Sequence, residues 1–296
     1  MISRRVMLVS PLALLAVREA SAAGKMTLAM HQQTTNGAGY RKSLEGWSRA
    51  GIKNVELTAA SVDEFLKTDT LPAARRLLTD LGLTPVSSAS GAFGIWEPGP
   101  NRAAAVENFK RRCDMFAALG LTRIYTPSAA TQKFTQDDYK AGADNMREIG
   151  AIAKQSGMTA MIEATRASTF VAALPTMLTM TRAAGNVAPL LDCYHFWSGP
   201  SKLEDLDLIR PGEIGHMHFQ DTPDLPRELL EQTTRVIPGD GVAPLVTILR
   251  KLANKGYAGS LSVELFLPKF TQGDPFEVAR EIRQKSEVVM RRAGVM

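Results

Sequence analysis

From Met26 onward the chain alternates short apolar runs with longer stretches in which apolar residues recur at helical spacing. Short apolar runs bounded by turn formers read as strands buried on both faces, and the longer stretches as amphipathic helices that cover them. Strands are expected over 26–31 (MTLAMH), 52–57 (IKNVEL), 84–88 (TPVSS), 121–126 (LTRIYT), 158–163 (MTAMIE), 187–192 (VAPLLD), 214–219 (IGHMHF) and 260–265 (SLSVEL). Helices are expected near 40–50, 61–82, 101–119, 135–156, 169–184, 203–209, 242–255 and 275–293. Gly51, Gly82, Gly120, Gly157, Gly185 and Gly256 each stand between a helix and the next strand, where a left-handed cap favours glycine.

Eight such units in about 270 residues predict an α/β fold, a single closed (β/α)8 TIM barrel. An open doubly wound sheet would more often show a glycine-rich turn after its first strand, and no GxGxxG follows 26–31. The segment from Asp221 to Pro238 is long, carries its own short helical pattern (PRELLEQTT), and is expected to be a lid. No linker or composition shift divides residues 24–296, which are taken as one catalytic domain.

Residues 1–23 stand apart from that repeat. Arg4 and Arg5 precede a 12-residue apolar run, Val6 to Val17, and then Ala20-Ser21-Ala22-Ala23, the layout of a signal peptide. The run is shorter than the roughly 20 residues a membrane-spanning helix needs, so no permanent anchor is expected. Ser3-Arg4-Arg5-Val6-Met7-Leu8 resembles the twin-arginine export motif, which implies passage through that machinery and a periplasmic or otherwise exported protein.

Composition adds little. Hydrophobic residues at 45% and charged residues at 22% are those of a globular chain, and a net charge of +5 without any like-charged block gives no nucleic-acid footprint. Cys113 and Cys193 form neither a CxxC pair nor a disulfide framework and are expected to be free buried thiols.

The chemistry gathers at strand ends. Glu163 ends the fifth strand, Asp192 the sixth, and His218 and Glu264 lie near the ends of the seventh and eighth. The C-terminal ends of neighbouring barrel strands converge on one mouth, so these four distant residues are expected around one ion. Three carboxylates and one imidazole suit Mn²⁺, Mg²⁺ or Co²⁺, and the set holds no thiolate of the kind structural zinc prefers. Asp192 and Glu163 each follow an apolar run, where an ionised group is costly unless paired or metal-bound. Glu56, at the end of the second strand, shares the placement but is expected far around the ring, as a substrate-side or structural residue. His31, at the end of the first strand, and Trp96, in the loop after the third, are candidates to line the pocket.

Residues 24–296 resemble, nearly end to end, the sugar phosphate isomerase/epimerase family of xylose-isomerase-like barrels, which includes D-tagatose 3-epimerase and inosose dehydratase. The resemblance is carried by IEATR at 162–166, LLDCYHFWSG at 190–199, HMHFQD at 216–221, IPGDG at 237–241 and GYAGSLSVELF at 256–266. It implies that Glu163, Asp192, His218 and Glu264 are metal ligands and that Glu163 and Glu264 double as an acid/base pair. It also implies that His195 and Arg235 contact substrate oxygens. Two departures stand out: ketose epimerases of the family carry a further glutamate where this chain has Thr169, and their arginine closely follows the seventh strand, whereas a long loop intervenes here.

The implied activity is a metal-dependent sugar or cyclitol isomerase or epimerase, in which a carbon-bound proton is removed next to a carbonyl and the resulting enediolate is stabilised by the metal. A lyase or dehydratase acting on a keto-glycoside or inosose begins with the same proton abstraction and is the alternative. Apurinic endonucleases share the barrel but use five histidines on three zinc ions, and this chain has only His31, His195, His216 and His218. An exported sugar-binding protein without activity would have no need of four ligand-type residues on consecutive strands.

Overall fold

The computed structural model describes residues 25–296, and the export segment expected over 1–23 lies outside the described residues. Among the described residues, eight parallel strands close into a barrel in sequence order. They are β1 (Thr27–His31), β2 (Asn54–Thr58), β3 (Thr84–Ala89), β4 (Arg123–Pro127), β5 (Thr159–Glu163), β6 (Val187–Asp192), β7 (His216–His218) and β8 (Ser260–Val263). β8 closes on β1 in the register Leu28 to Leu261 and Met30 to Val263.

Strand parity decides what each side of the wall carries, because successive side chains point to opposite faces. Ala160 and Ile162 of β5 join the main core between barrel and helices, whereas Met161 packs inside the barrel with Tyr125 and Leu190. Glu163 follows Met161 with the same parity and so faces the interior. The same count turns Glu56, Asp192, His216 and His218 inward, while Val55, Leu191 and Met217 turn outward into the core. The barrel interior therefore sets the apolar cluster of Tyr125, Met161 and Leu190 beside inward-facing polar groups, with Glu163 and His216 level with Leu190.

The outer layer comprises α1 (Gly39–Arg49), α2 (Ala59–Phe65), α3 (Leu71–Asp80), α4 (Arg102–Ala118), α5 (Gln136–Gln155), α6 (Leu174–Ala184), α7 (Cys193–Ser198), α8 (Leu245–Asn254), α9 (Pro268–Thr271) and α10 (Pro275–Ala293). The single helix expected over 61–82 is two, because Thr70 caps α3 by accepting the Ala73 amide and Pro72 sits in its first turn. The helix expected from 169 begins only at Leu174, with Pro175 in its first turn. Over 203–209 a 3-10 turn takes the place of an α-helix. All six interrupting glycines have positive φ, as at Gly185, where 79° ends α6. No helix of the described residues is long and apolar enough to cross a membrane.

The Asp221–Pro238 segment leaves β7, forms two short 3-10 turns at Arg227–Leu229 and Gln232–Thr234, and returns through an antiparallel bridge between Asp221 and Val236. It lies over the C-terminal mouth, held by Arg166, whose guanidinium donates to the Arg227 carbonyl at 3.0 Å and to the Leu230 carbonyl. Tyr194 donates to the Glu231 carbonyl at 2.6 Å. At its base the Asp221 carboxylate accepts the amides of Thr222 (2.8 Å), Ala243 (2.9 Å) and Gly239 (3.0 Å). A Cβ on Gly241 would stand 2.2 Å from the Thr222 carbonyl oxygen, which is why the PGDG turn needs glycine there.

Candidate metal centre

Glu163, Asp192, His218 and Glu264 are all buried, and one ligand atom from each lies within 4.8 Å of the others. Three carboxylate oxygens converge on His218 Nδ1: Glu163 Oε1 at 3.0 Å, Asp192 Oδ2 at 3.5 Å and Glu264 Oε2 at 3.7 Å. Separations of this size match two bonds of about 2.1 Å meeting at one small divalent ion. The charges agree with that fit, since four buried carboxylates, counting Glu56, face one guanidinium, and the other groups beside them are the imidazoles of His31, His195, His216 and His218.

Each group is fixed by its neighbours. Asp192 Oδ1 accepts the His195 amide at 2.7 Å and so caps α7. Its Oδ2 turns instead to the cluster and accepts Gln220 Nε2 at 2.5 Å and Arg235 Nη1 at 3.0 Å. Burial pushes the Asp192 carboxyl up, yet Arg235 and the two histidines beside it hold it well below the usual range. Burial also raises Glu264, and Arg235 brings it below its ordinary value. Glu163 has no guanidinium against it, and burial pushes it up to about 8. With no ion between them, the two glutamates are thus driven in opposite directions.

Glu56 overturns its expected place far around the ring. Its carboxylate is fully buried and reaches across the barrel interior to His216 Nε2 at 3.0 Å and His218 Nε2 at 3.3 Å. His218 therefore shows Nδ1 to the carboxylate cluster and Nε2 to Glu56, the disposition of a metal-ligating histidine oriented by a second carboxylate. His31 is differently committed: its Nδ1 accepts the Gln33 amide at 3.1 Å, which leaves the proton on Nε2, 3.0 Å from the Tyr125 hydroxyl.

A cavity of about 640 Å³ opens above this cluster. His31, His195, Glu163 and Glu264 line it, with Tyr125, which the sequence reading did not single out. Asp192, His218 and Arg235 do not. Arg235, expected on the substrate, is fully buried beneath the cavity, where it pairs with Asp192 and Glu264, donates to His195 Nε2 at 2.8 Å and stacks on Phe266. Trp96, expected at the pocket, is also fully buried, and its indole donates to the Thr126 carbonyl at 3.0 Å away from the cavity. Thr169 likewise turns its hydroxyl to the Ala130 and Gln132 carbonyls. Gln220 and Glu56 were legible only as inward positions on or just past a strand; Arg166 and Tyr194 had no such signal.

Fold and site together define a (β/α)8 barrel with an acidic, histidine-containing centre at its C-terminal mouth. The chain belongs to the xylose isomerase-like TIM barrel family, whose model matches residues 45–289. It is similar to the inosose isomerase of Halalkalibacterium halodurans, 28% identical over 256 residues, covering 83% of this chain and 90% of that protein. That of Bacillus licheniformis is 26% identical over 274 residues, covering 90% and 98%. Among solved structures, the IOLI protein with a bound zinc atom superposes with a TM-score of 0.83 at 23% identity, covering 90% of this chain and 99% of that one. An L-ribulose 3-epimerase superposes with a TM-score of 0.72 at 20% identity, covering 91% and 96%.

Proposed function

We propose that the protein is a divalent-metal-dependent isomerase or epimerase of a sugar or cyclitol. The observation that carries this reading is a division of labour among the four ligand-type residues. Glu163 and Glu264 line the cavity, whereas the Asp192 and His218 side chains are fully buried beneath it. Two of the four are thus placed to meet a substrate carbon as well as an ion.

Glu163, Asp192, His218 and Glu264 would hold the ion, and Mn²⁺, Mg²⁺ or Co²⁺ suits their mostly oxygen donor set. Such an ion, when bound, polarises a substrate carbonyl and makes the adjacent C–H more acidic. One of the two glutamates removes that proton and the other, or the same one, returns it at the same or the neighbouring carbon. Arg235 keeps Glu264 ionised and aimed, and the neutral His195 offers its ring at the cavity wall, its pKa lowered to about 4 by burial. The lid over the mouth limits access of water to the carbanionic substrate. The inosose isomerases among the relatives support a cyclic polyhydroxy ketone as the kind of substrate. We extend the proposal to export of the protein by the twin-arginine route, on the strength of Arg4 and Arg5 ahead of the short apolar run.

The test is turnover of inososes and unphosphorylated ketoses by metal-loaded protein in D₂O, followed by mass spectrometry and NMR. Product of unchanged mass in H₂O that gains deuterium next to the carbonyl is expected. Loss of water or of an aglycone would replace this reading with the lyase.

A further inference from the structure

Resting on that reading of the site, we propose that the natural substrate carries an apolar group of aromatic size on its ring, seated in the half of the cavity formed by the loops after β2, β3 and β4. The cavity is two-sided. Its catalytic half, supplied by β5, β6 and β8, presents Glu163, His195 and Glu264. The opposite half presents Ala59, Ala60, Ala89, Phe93, Pro127 and Ala129. Above the floor residue Tyr125, the one polar side chain among the described residues that the loops after β2, β3 and β4 supply is Thr58, whose hydroxyl is already spent on Ser61, to which it donates at 2.8 Å; His31 and Gln33, at and just past the end of the neighbouring β1, border this half at its edge.

A bare sugar or cyclitol ring bears hydroxyls around its whole edge. Hydroxyls pressed against this half would lose water without gaining a side-chain partner, which costs binding free energy. A group without hydroxyls gains instead from burial. Phe93 sharpens the point, because its ring is 58% exposed at the cavity wall, on a loop that two positive-φ glycines, Gly91 and Gly94, bend around it. An aromatic face left open beside a catalytic centre is a stacking platform for a flat partner. The volume agrees: about 640 Å³ is more than one six-membered ring fills and falls in the range of roughly 300–1,000 Å³ that takes drug-sized ligands.

The experiment reads binding apart from chemistry. Methyl β-glucoside, phenyl β-glucoside and cellobiose, none of which bears a ketone to turn over, are titrated calorimetrically into the full-length Mn²⁺-loaded protein. The phenyl glycoside is expected to bind about 10-fold or more tightly than the methyl glycoside. Phe93→Ala is expected to narrow that ratio at least about threefold, and Phe93→Tyr, which keeps the ring, to preserve it. Equal affinities, no measurable binding of the phenyl glycoside, a ratio untouched by Phe93→Ala, or tighter binding of cellobiose would each overturn the inference. Phenyl preference without deuterium uptake in the turnover test would sink the isomerase reading alone. Deuterium uptake with no phenyl preference would sink only the apolar subsite.

Discussion

Asp221→Asn tests how the lid is hinged. The carboxylate is 2% exposed and takes three backbone amides, two on Oδ1 and one on Oδ2. Asparagine has nearly the same shape, so its oxygen keeps the Thr222 and Ala243 amides, but its NH₂ then faces the Gly239 amide, donor against donor. One charge-assisted bond is lost, two others become neutral, and a buried N–H is left unpaired, together about 2–4 kcal/mol. For a domain of this size that is a fall in Tm of roughly 5–10 °C, measured in EDTA so that metal binding does not mask it. The same residue bridges to Val236, one position after Arg235, so loosening it also unseats the guanidinium that pairs with Asp192 and Glu264. Limited proteolysis between 222 and 235 is expected to speed up, and turnover to fall. A Tm within about 1 °C of wild type, with unchanged proteolysis, would refute the hinge argument.

Glu264→Gln is expected to lower turnover by more than about 10²-fold while retaining part of the metal, read by assay beside elemental analysis; near-normal turnover would remove Glu264 from the acid/base pair. Metal affinity is expected to rise with pH. Burial alone would lower His218, but Glu56, Glu163 and Glu264 raise it well above an ordinary imidazole, and burial pushes Glu163 up to about 8. Both hold protons in the metal-free protein near neutrality and must release them, so titrations in buffers of different ionisation enthalpy show proton release, and a pH-independent affinity contradicts it. Burial pushes the Cys113 thiol up to about 12 and Cys193 well above its ordinary value; neither is expected to react with a disulfide reagent at about pH 8 until the chain is unfolded. Arg4→Lys with Arg5→Lys is expected to leave uncleaved precursor in the cytoplasm, and normal processing of that double variant would exclude the twin-arginine route.

The βα repeat was legible because each of its signals is local. Six glycines fall where a helix must turn into a strand, and apolar runs mark walls buried on both faces. Glu163, Asp192, His218 and Glu264 were legible for a related reason: parallel strands in a closed barrel bring their C-terminal ends together whatever the loop lengths between them. The split of 61–82 into two helices was also written in the sequence, as Thr70 followed by Pro72, and was outweighed by the periodicity around it.

What only the tertiary structure decided are distances across the barrel and the destination of the lid. Parity alone turns Glu56 inward, but β2 and β7 are separated around the ring by β8 and β1, and nothing local to either strand reports that their inward side chains meet in a narrow interior. Arg235 sits just past the short helical pattern of its loop, and its descent beneath the cavity depends on Asp221, Arg166 and Tyr194 closing that loop from three sides. Trp96 shows the converse, a side chain on the loop after β3, at the mouth end of the barrel, that is buried away from the cavity with its indole donating to the Thr126 carbonyl. Period and turn chemistry are properties of neighbours in sequence, so the sequence by itself determined the barrel and the ring of ligand-type residues at its mouth. Which residues support that ring, and which half of the mouth is apolar, follow from contacts between distant segments that exist only once the barrel has closed.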